Sequence, residues 1–406
     1  MMISESDRRA VRTAWIGWAA LFIVTASIIA AGSSRTVVPA YRIASLHWLA
    51  GQGLYDGMGV GGFVYLPQAA ILFVPFALLP VVAGEVLWRL FNIGVFAIGI
   101  RGFSRLAGGR SETELFPLMT LVTLPLTWDC ARNGQATVAM TGLMLLAVVD
   151  LTRRHWWRAT LWLALSVSLK PLAVVLALLV LAIDRAMTWR MILAAIAVAL
   201  LPFLMQHSSY VLDQYASFLH NTTTAAHVGV VKQGWAHLFS ALRVLGMDVP
   251  ERFQTLVRLG AAAGTLGLYG MVRRRFDPVR SAVSVFTLAV VYLVLFSPRT
   301  ENNTYMLLGP AVALFLGEAI LIEKRYVTGV LLSGLALGML IGRMLQRTLA
   351  PQAEAIWLSP LLATGFAAYL LVRLFTDPMR REDRNGEDSA VPQAASPVDT
   401  ADTDQV

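Results

Sequence analysis

Four polar clusters interrupt long apolar stretches of this chain, and their residue types suit one kind of chemistry. Ser297-Pro298-Arg299-Thr300-Glu301-Asn302-Asn303 sets a cation, a carboxylate and two amides between the apolar segments 280–297 and 304–322. Asp129-Cys130-Ala131-Arg132-Asn133-Gly134-Gln135 repeats that mixture between two further apolar runs. Lys170 stands before Pro171 inside an otherwise apolar stretch, and Gly51-Gln52-Gly53-Leu54-Tyr55-Asp56 closes a segment near the N-terminus. Arginine offers a planar fork and lysine a point charge, and both suit phosphate oxygens. Arg132, Lys170 and Arg299 are therefore candidates for an anion clamp, with Arg35 and Arg42 behind them. Glu301, Asp129 and Asp56 are the carboxylates close enough in sequence to accept a proton from a reacting hydroxyl. Asn133, Gln135 and Asn302 supply amides for a polyol. Gln233 and His237 flank Trp235 in a long connection and mix hydrogen-bonding groups with an aromatic face, as sugar sites do.

Each residue also has a plainer reading. Arg132 would cap a helix C-terminus, Lys170 would snorkel to water from a helix end, and Arg299 with Glu301 would close a short loop as an ion pair. Glu85 and Arg89, spaced i, i+4, read as an intrahelical pair. A charge at a break between apolar segments is a functional candidate by default.

The elements that must carry these clusters are membrane helices. The chain is 57% hydrophobic and 14% charged, with mean hydropathy +0.63. Apolar runs of spanning or near-spanning length recur from residue 13 to residue 375. The single Cys130 excludes an intrachain disulfide framework and a cysteine-based metal site. No P-loop, dinucleotide fingerprint or His-Glu-x-x-His motif is present, and no metal or other cofactor is called for. The basic residues are scattered over short loops, which argues topology rather than nucleic acid.

Spans are expected near 13–32, 84–100, 114–128, 135–151, 158–169, 171–183, 190–206, 256–272, 281–297, 304–322, 326–342 and 356–374, an all-α polytopic bundle of about twelve. The run 66–82 holds Pro67, Pro75 and Pro80 and reads as a broken interfacial helix. With that segment not crossing, about two thirds of the Lys and Arg residues fall on one side. That side takes both termini and is cytoplasmic by the positive-inside rule. The four polar clusters then share the outer rim, together with the loops 33–82 and 207–255. Residues 377–406 read as a disordered tail.

The order of these pieces resembles the bacterial family 87 glycosyltransferases. The resemblance rests on the segment from Leu49 to Asp56, Gly62-Phe63-Val64-Tyr65-Leu66-Pro67, Leu87-Trp88-Arg89-Leu90-Phe91-Asn92, Asn133-Gly134-Gln135, Ser168-Leu169-Lys170-Pro171 and Ser297-Pro298-Arg299. It covers residues 13–320 and implies a GT-C fold over residues 1–376. It further implies transfer of a hexose or pentose, mannose above all, from a polyprenyl-phosphate donor to a lipid or glycan acceptor. The site would lie on the outer face of the bacterial cytoplasmic membrane. Such transferases also carry an aspartate early in the first outer loop as catalytic base. Here that stretch reads Ser34-Arg35-Thr36-Val37-Val38-Pro39-Ala40-Tyr41-Arg42, with no acid at the matching position near Val37. A transporter or flippase of lipid-linked sugars, and a member that binds without turnover, are the rival readings. Transporters place ionisable groups at mid-depth within repeated halves, whereas these clusters sit at span ends.

Overall fold

The computed structural model describes residues 5–32, 35–55, 62–108, 113–227, 235–349 and 356–377. Asp56, Gln233 and the tail from 378 lie outside them. The described residues form sixteen α-helices: α1 Glu5–Ala30, α2 Val38–Ala50, α3 Pro67–Ala77, α4 Val81–Gly108, α5 Phe116–Asn133, α6 Thr137–Thr152, α7 Trp156–Leu169, α8 Val174–Ile183, α9 Arg185–Leu200, α10 Ser208–His227, α11 Leu238–Val244, α12 Glu251–Arg275, α13 Pro278–Phe296, α14 Gly309–Gly317, α15 Tyr326–Leu349 and α16 Leu358–Thr376. Among the described residues, eight helical segments are long and apolar enough to cross a membrane, and the chain is a multi-pass membrane protein. These eight fall on expected spans. The other four expected spans coincide with α5, α6, α7 and α8, of 18, 16, 14 and 10 residues. The proline-rich run 66–82 holds α3, whose 11 residues are too few to span.

Contacts between helix ends fix the sense of each helix. At one end Arg89, early in α4, reaches the carbonyl of Arg132 at the close of α5, and Lys170 meets Thr137 at the start of α6. Arg258 of α12 meets the Phe296 carbonyl that closes α13, and Ser359 of α16 meets Asn302. At the other end Arg101 pairs with Glu114, Arg158 with Asp150, Arg273 with Asp184, and Arg373 with Glu323 and Asp377. The cluster around Arg132, the Lys170 break and the 297–303 loop therefore share one end of the bundle. Most of the short basic connections lie at the opposite end.

Tight packing holds α4 against α6. A Cβ on Gly142 would lie 2.7 Å from the Phe96 backbone, and one on Gly99 would lie 2.7 Å from the Gly142 carbonyl. Only glycine lets two backbones approach so closely. A second, aromatic-rich core joins α2, α3 and α10 to the start of α4, around Trp48, Phe63, Phe73 and Trp88. The long connection 207–255 holds the 20-residue helix α10. Gln214 accepts the Leu54 amide and Tyr210 donates to the Gln52 carbonyl, so α10 ties the first connection to the bundle.

Candidate functional site

The turn between α5 and α6 is gripped by one face of α4. Trp88 donates to the Gly134 carbonyl at 2.7 Å, Arg89 to the Arg132 carbonyl at 2.8 Å, and Asn92 accepts the Ala139 amide at 3.1 Å. Gly134 takes φ +68°, and the amides of Gly134 and Gln135 fold back to the carbonyls of Ala131 and Cys130. This is a left-handed helix stop, which explains glycine at 134. The expected Glu85–Arg89 pair forms at 3.0 Å. Arg89 is wholly buried and also donates to the Thr36 hydroxyl at 3.1 Å.

From this rigid rim the next break follows directly. Lys170 is the extended residue between α7 and a single 3-10 turn that opens on Pro171. Its ammonium donates to the Thr137 hydroxyl at 2.7 Å and sits 5.9 Å from the Tyr65 ring centre. Tyr65 in turn accepts from the Tyr41 hydroxyl at 3.2 Å. Burial and the neighbouring Tyr65 hold the Tyr41 phenol well above its ordinary value, and Glu301 pushes the same way.

Beside Lys170 a cleft of about 410 Å³ opens. Its charged lining is Lys170, Arg258, Arg299 and Glu301, and its apolar walls come from α8, α13 and the Tyr65 segment, with Phe218 and Thr222 of α10 closing one side. Arg299 lies 5.3 Å over the Trp235 ring. Glu301 is exposed, and its carboxylate accepts the Thr304 amide while the Thr304 hydroxyl accepts the Glu301 amide. That reciprocal box fixes the carboxylate at the mouth of the cleft.

The remaining described candidates do not line this cleft. Arg132 is half-buried, and its Nε is enclosed with no partner among the described residues. Asn133 likewise has an enclosed, unpartnered Oδ1, while its carbonyl accepts the Val37 amide at 3.0 Å. Gln135 accepts from the Cys130 thiol, and Asn302 accepts from Ser359 at 2.8 Å. Arg35 approaches Asp129 at 3.8 Å. Arg42 donates to the Leu79 carbonyl, so it holds the start of α4. His237 is buried and caps α11 by accepting the Ser240 amide, a structural post rather than a wall of the cleft. Among the described residues, no cluster of His, Cys, Asp or Glu suits a metal.

Sequence reasoning passed over Arg258. It sits inside an expected span, where a charge is itself a signal. Its Nε donates to the Phe296 carbonyl at 3.1 Å, which carries the guanidinium to the cleft. Tyr65 was noted as part of a motif, but its place beneath Lys170 depends on α2 and α3 packing together.

A membrane bundle with cations, one fixed carboxylate and lipid-compatible walls at a single rim defines the class. The family profile of Glycosyltransferase family 87 matches residues 63–298, more than half of the chain, and the protein belongs to that family. It is 27% identical over 402 residues to a polyprenol-phosphate-mannose-dependent alpha-(1-2)-phosphatidylinositol mannoside mannosyltransferase of Mycobacterium tuberculosis, covering 90% of each chain. It is also 27% identical over 227 residues to a polyprenol-phosphate-mannose-dependent alpha-(1-2)-phosphatidylinositol pentamannoside mannosyltransferase of the same species, covering 53% of this chain and 49% of the relative.

Proposed function

We propose that the chain transfers mannose from a polyprenyl-phosphate donor to a hydroxyl of a lipid or glycan acceptor. The observation that carries this reading is the cleft in which Lys170, Arg258 and Arg299 meet Glu301 among apolar walls. A phosphate head group needs fixed cations, and a prenyl chain needs apolar surface continuous with the bilayer. The acceptor hydroxyl attacks the anomeric carbon opposite the phosphate. A new C–O bond forms, the bond to the phosphate oxygen breaks, and its electron pair leaves with the phosphate. Glu301 takes the hydroxyl proton, and the three cations hold the growing phosphate charge. Configuration at the anomeric carbon inverts.

The positive-inside rule puts the Arg-rich end of the bundle in the cytosol and the cleft at the outer face of the cytoplasmic membrane. That arrangement has twelve spans, both termini inside and a GT-C-like body over residues 1–376. Arg132 lies outside the cleft wall, at the same end of the bundle, and its enclosed Nε has no partner among the described residues. A second reading gives the base role to Asp129, because it reaches Arg35 beside the Val37 position from α5.

The test is mannosyl transfer in proteoliposomes carrying polyprenyl-phosphate mannose. Lys170→Ala and Arg299→Ala each lose a charge-assisted contact and should slow transfer by about 10- to 100-fold. Glu301→Gln should abolish turnover and keep donor binding. Normal transfer by Glu301→Gln together with inactive Asp129→Asn would hand the role to Asp129. Solute uptake without transfer would favour a transporter.

A further inference from the structure

A second cleft, of about 390 Å³, adjoins the cationic one along α10 and is walled by Tyr55, Ala216, Ser217, His220 and Asn221. One stretch of α10 serves both clefts. Phe218 and Thr222 line the cationic cleft, and Ser217, His220 and Asn221 line its neighbour. Tyr55 of the second cleft and Phe218 of the first stand between them, with ring centres 6.4 Å apart. That partition is pinned on both flanks. The Tyr55 hydroxyl donates to the Tyr65 carbonyl at 2.7 Å, and Asn221 Nδ2 donates to the Phe63 carbonyl at 3.2 Å.

The chemistry of the two clefts differs. The first carries Lys170, Arg258, Arg299 and Glu301, while among the described residues none that line the second is Lys, Arg, Asp or Glu. A phenol face, a hydroxyl, an imidazole and an amide offer donors and acceptors together with one flat apolar surface. A neutral pyranose has the same profile, with hydroxyls around its edge and C–H groups on its face.

We infer that this second cleft holds the sugar ring of the acceptor, with its reacting hydroxyl reaching past the Tyr55–Phe218 partition toward Glu301. Calling the ring an acceptor rests on the transferase reading above. Its position on α10, separate from the donor phosphate, does not.

Two measurements on the full-length protein in nanodiscs test the assignment. Saturation-transfer NMR with methyl α-mannoside should show sugar binding in the wild type. Ser217→Trp, which fills the cleft from an outer helix face, should remove that signal, and Lys170→Ala should leave it. In transfer assays Ser217→Trp should raise the acceptor KM about tenfold, the worth of one lost hydrogen bond, with the donor KM unchanged. If Ser217→Trp does not fold, His220→Ala carries the same expectation. No signal in the wild type, a signal that survives Ser217→Trp, or a donor KM that rises with the acceptor KM would each overturn the assignment. Sugar binding lost in Ser217→Trp by a wild type that transfers nothing would keep the sugar site and overturn the transferase reading.

Discussion

Replacing Arg89 with Met tests the claim that α4 grips the α5–α6 turn. The Arg89 side chain is wholly inaccessible and Glu85 keeps 10% exposure. The guanidinium donates to the Glu85 carboxylate and carbonyl, the Thr36 hydroxyl and the Arg132 carbonyl. Methionine fills much of the volume but leaves the Glu85 carboxylate enclosed without its partner. Breaking a buried pair in this way costs about 3–5 kcal/mol. The lower end applies here, because Glu85 retains some access to water. The chain supplies its own reporter, since its single cysteine, Cys130, is fully buried in the last turn of α5. A maleimide dye reaches it only when this rim opens, so the labelling rate follows the open population when reclosing is fast. A loss of about 3 kcal/mol should speed labelling about 100-fold. Glu85→Gln added to Arg89→Met removes the orphaned charge and should recover much of the difference. Labelling of the single variant within about threefold of wild type would refute the grip. So would a double variant that labels no slower than the single one.

Gly142→Ala should lower the thermal midpoint by the equivalent of about 1–3 kcal/mol, because its Cβ would enter the Phe96 backbone. Gly365→Ala, with open space around it, should be neutral or gain up to about 1 kcal/mol, both read by chromatography after heating. Burial, then Arg258 and Arg243, push the His237 imidazole down to about 4. Its folded value lies below the unfolded one of about 6.5, so its contribution is whole above that pH and fades as pH falls toward 4. The midpoint of the wild type should therefore drop more steeply than that of His237→Gln between pH 7 and 4.5. Arg258→Gln should raise the donor KM about tenfold in transfer assays, and an unchanged KM would remove Arg258 from the phosphate site.

Local chemistry was legible in the sequence wherever one short segment carried it. The Glu85–Arg89 spacing declares an intrahelical pair, Arg132 reads as a residue at a helix C-terminus, and three prolines in 66–82 argue against a long helix there. The tightly ordered Trp88-Arg89 and Asn92 could be quoted as a pattern, but not explained. Their meaning lies in three partners along the α5–α6 turn, at 132, 134 and 139. The α10 helix was missed because its partners, Leu54, Gln52 and Phe63, lie about 160 residues away in sequence. Arg258 lies within an expected span, and its arrival at the cleft follows only from how α12 meets the end of α13.

The absent acid near Val37 takes a different form once the chain is folded. Thr36 donates to the Glu85 carboxylate at 3.3 Å, and Arg35 faces Asp129 at 3.8 Å, so two acids from other helices flank that turn. Neither lines the cationic cleft. Glu85 already neutralises a buried arginine, and Asp129 would have to give up Arg35. Glu301 differs in kind. Its capping box engages one lone pair with the Thr304 amide, which sets the rotamer, and an ionised carboxylate has further lone pairs to offer. A base must combine a fixed position with an open acceptor, and among these three carboxylates only Glu301 also lines the cleft that holds the cations. The loss of an acid from the first loop is thus compatible with turnover, provided the proton leaves by way of the 297–303 loop instead.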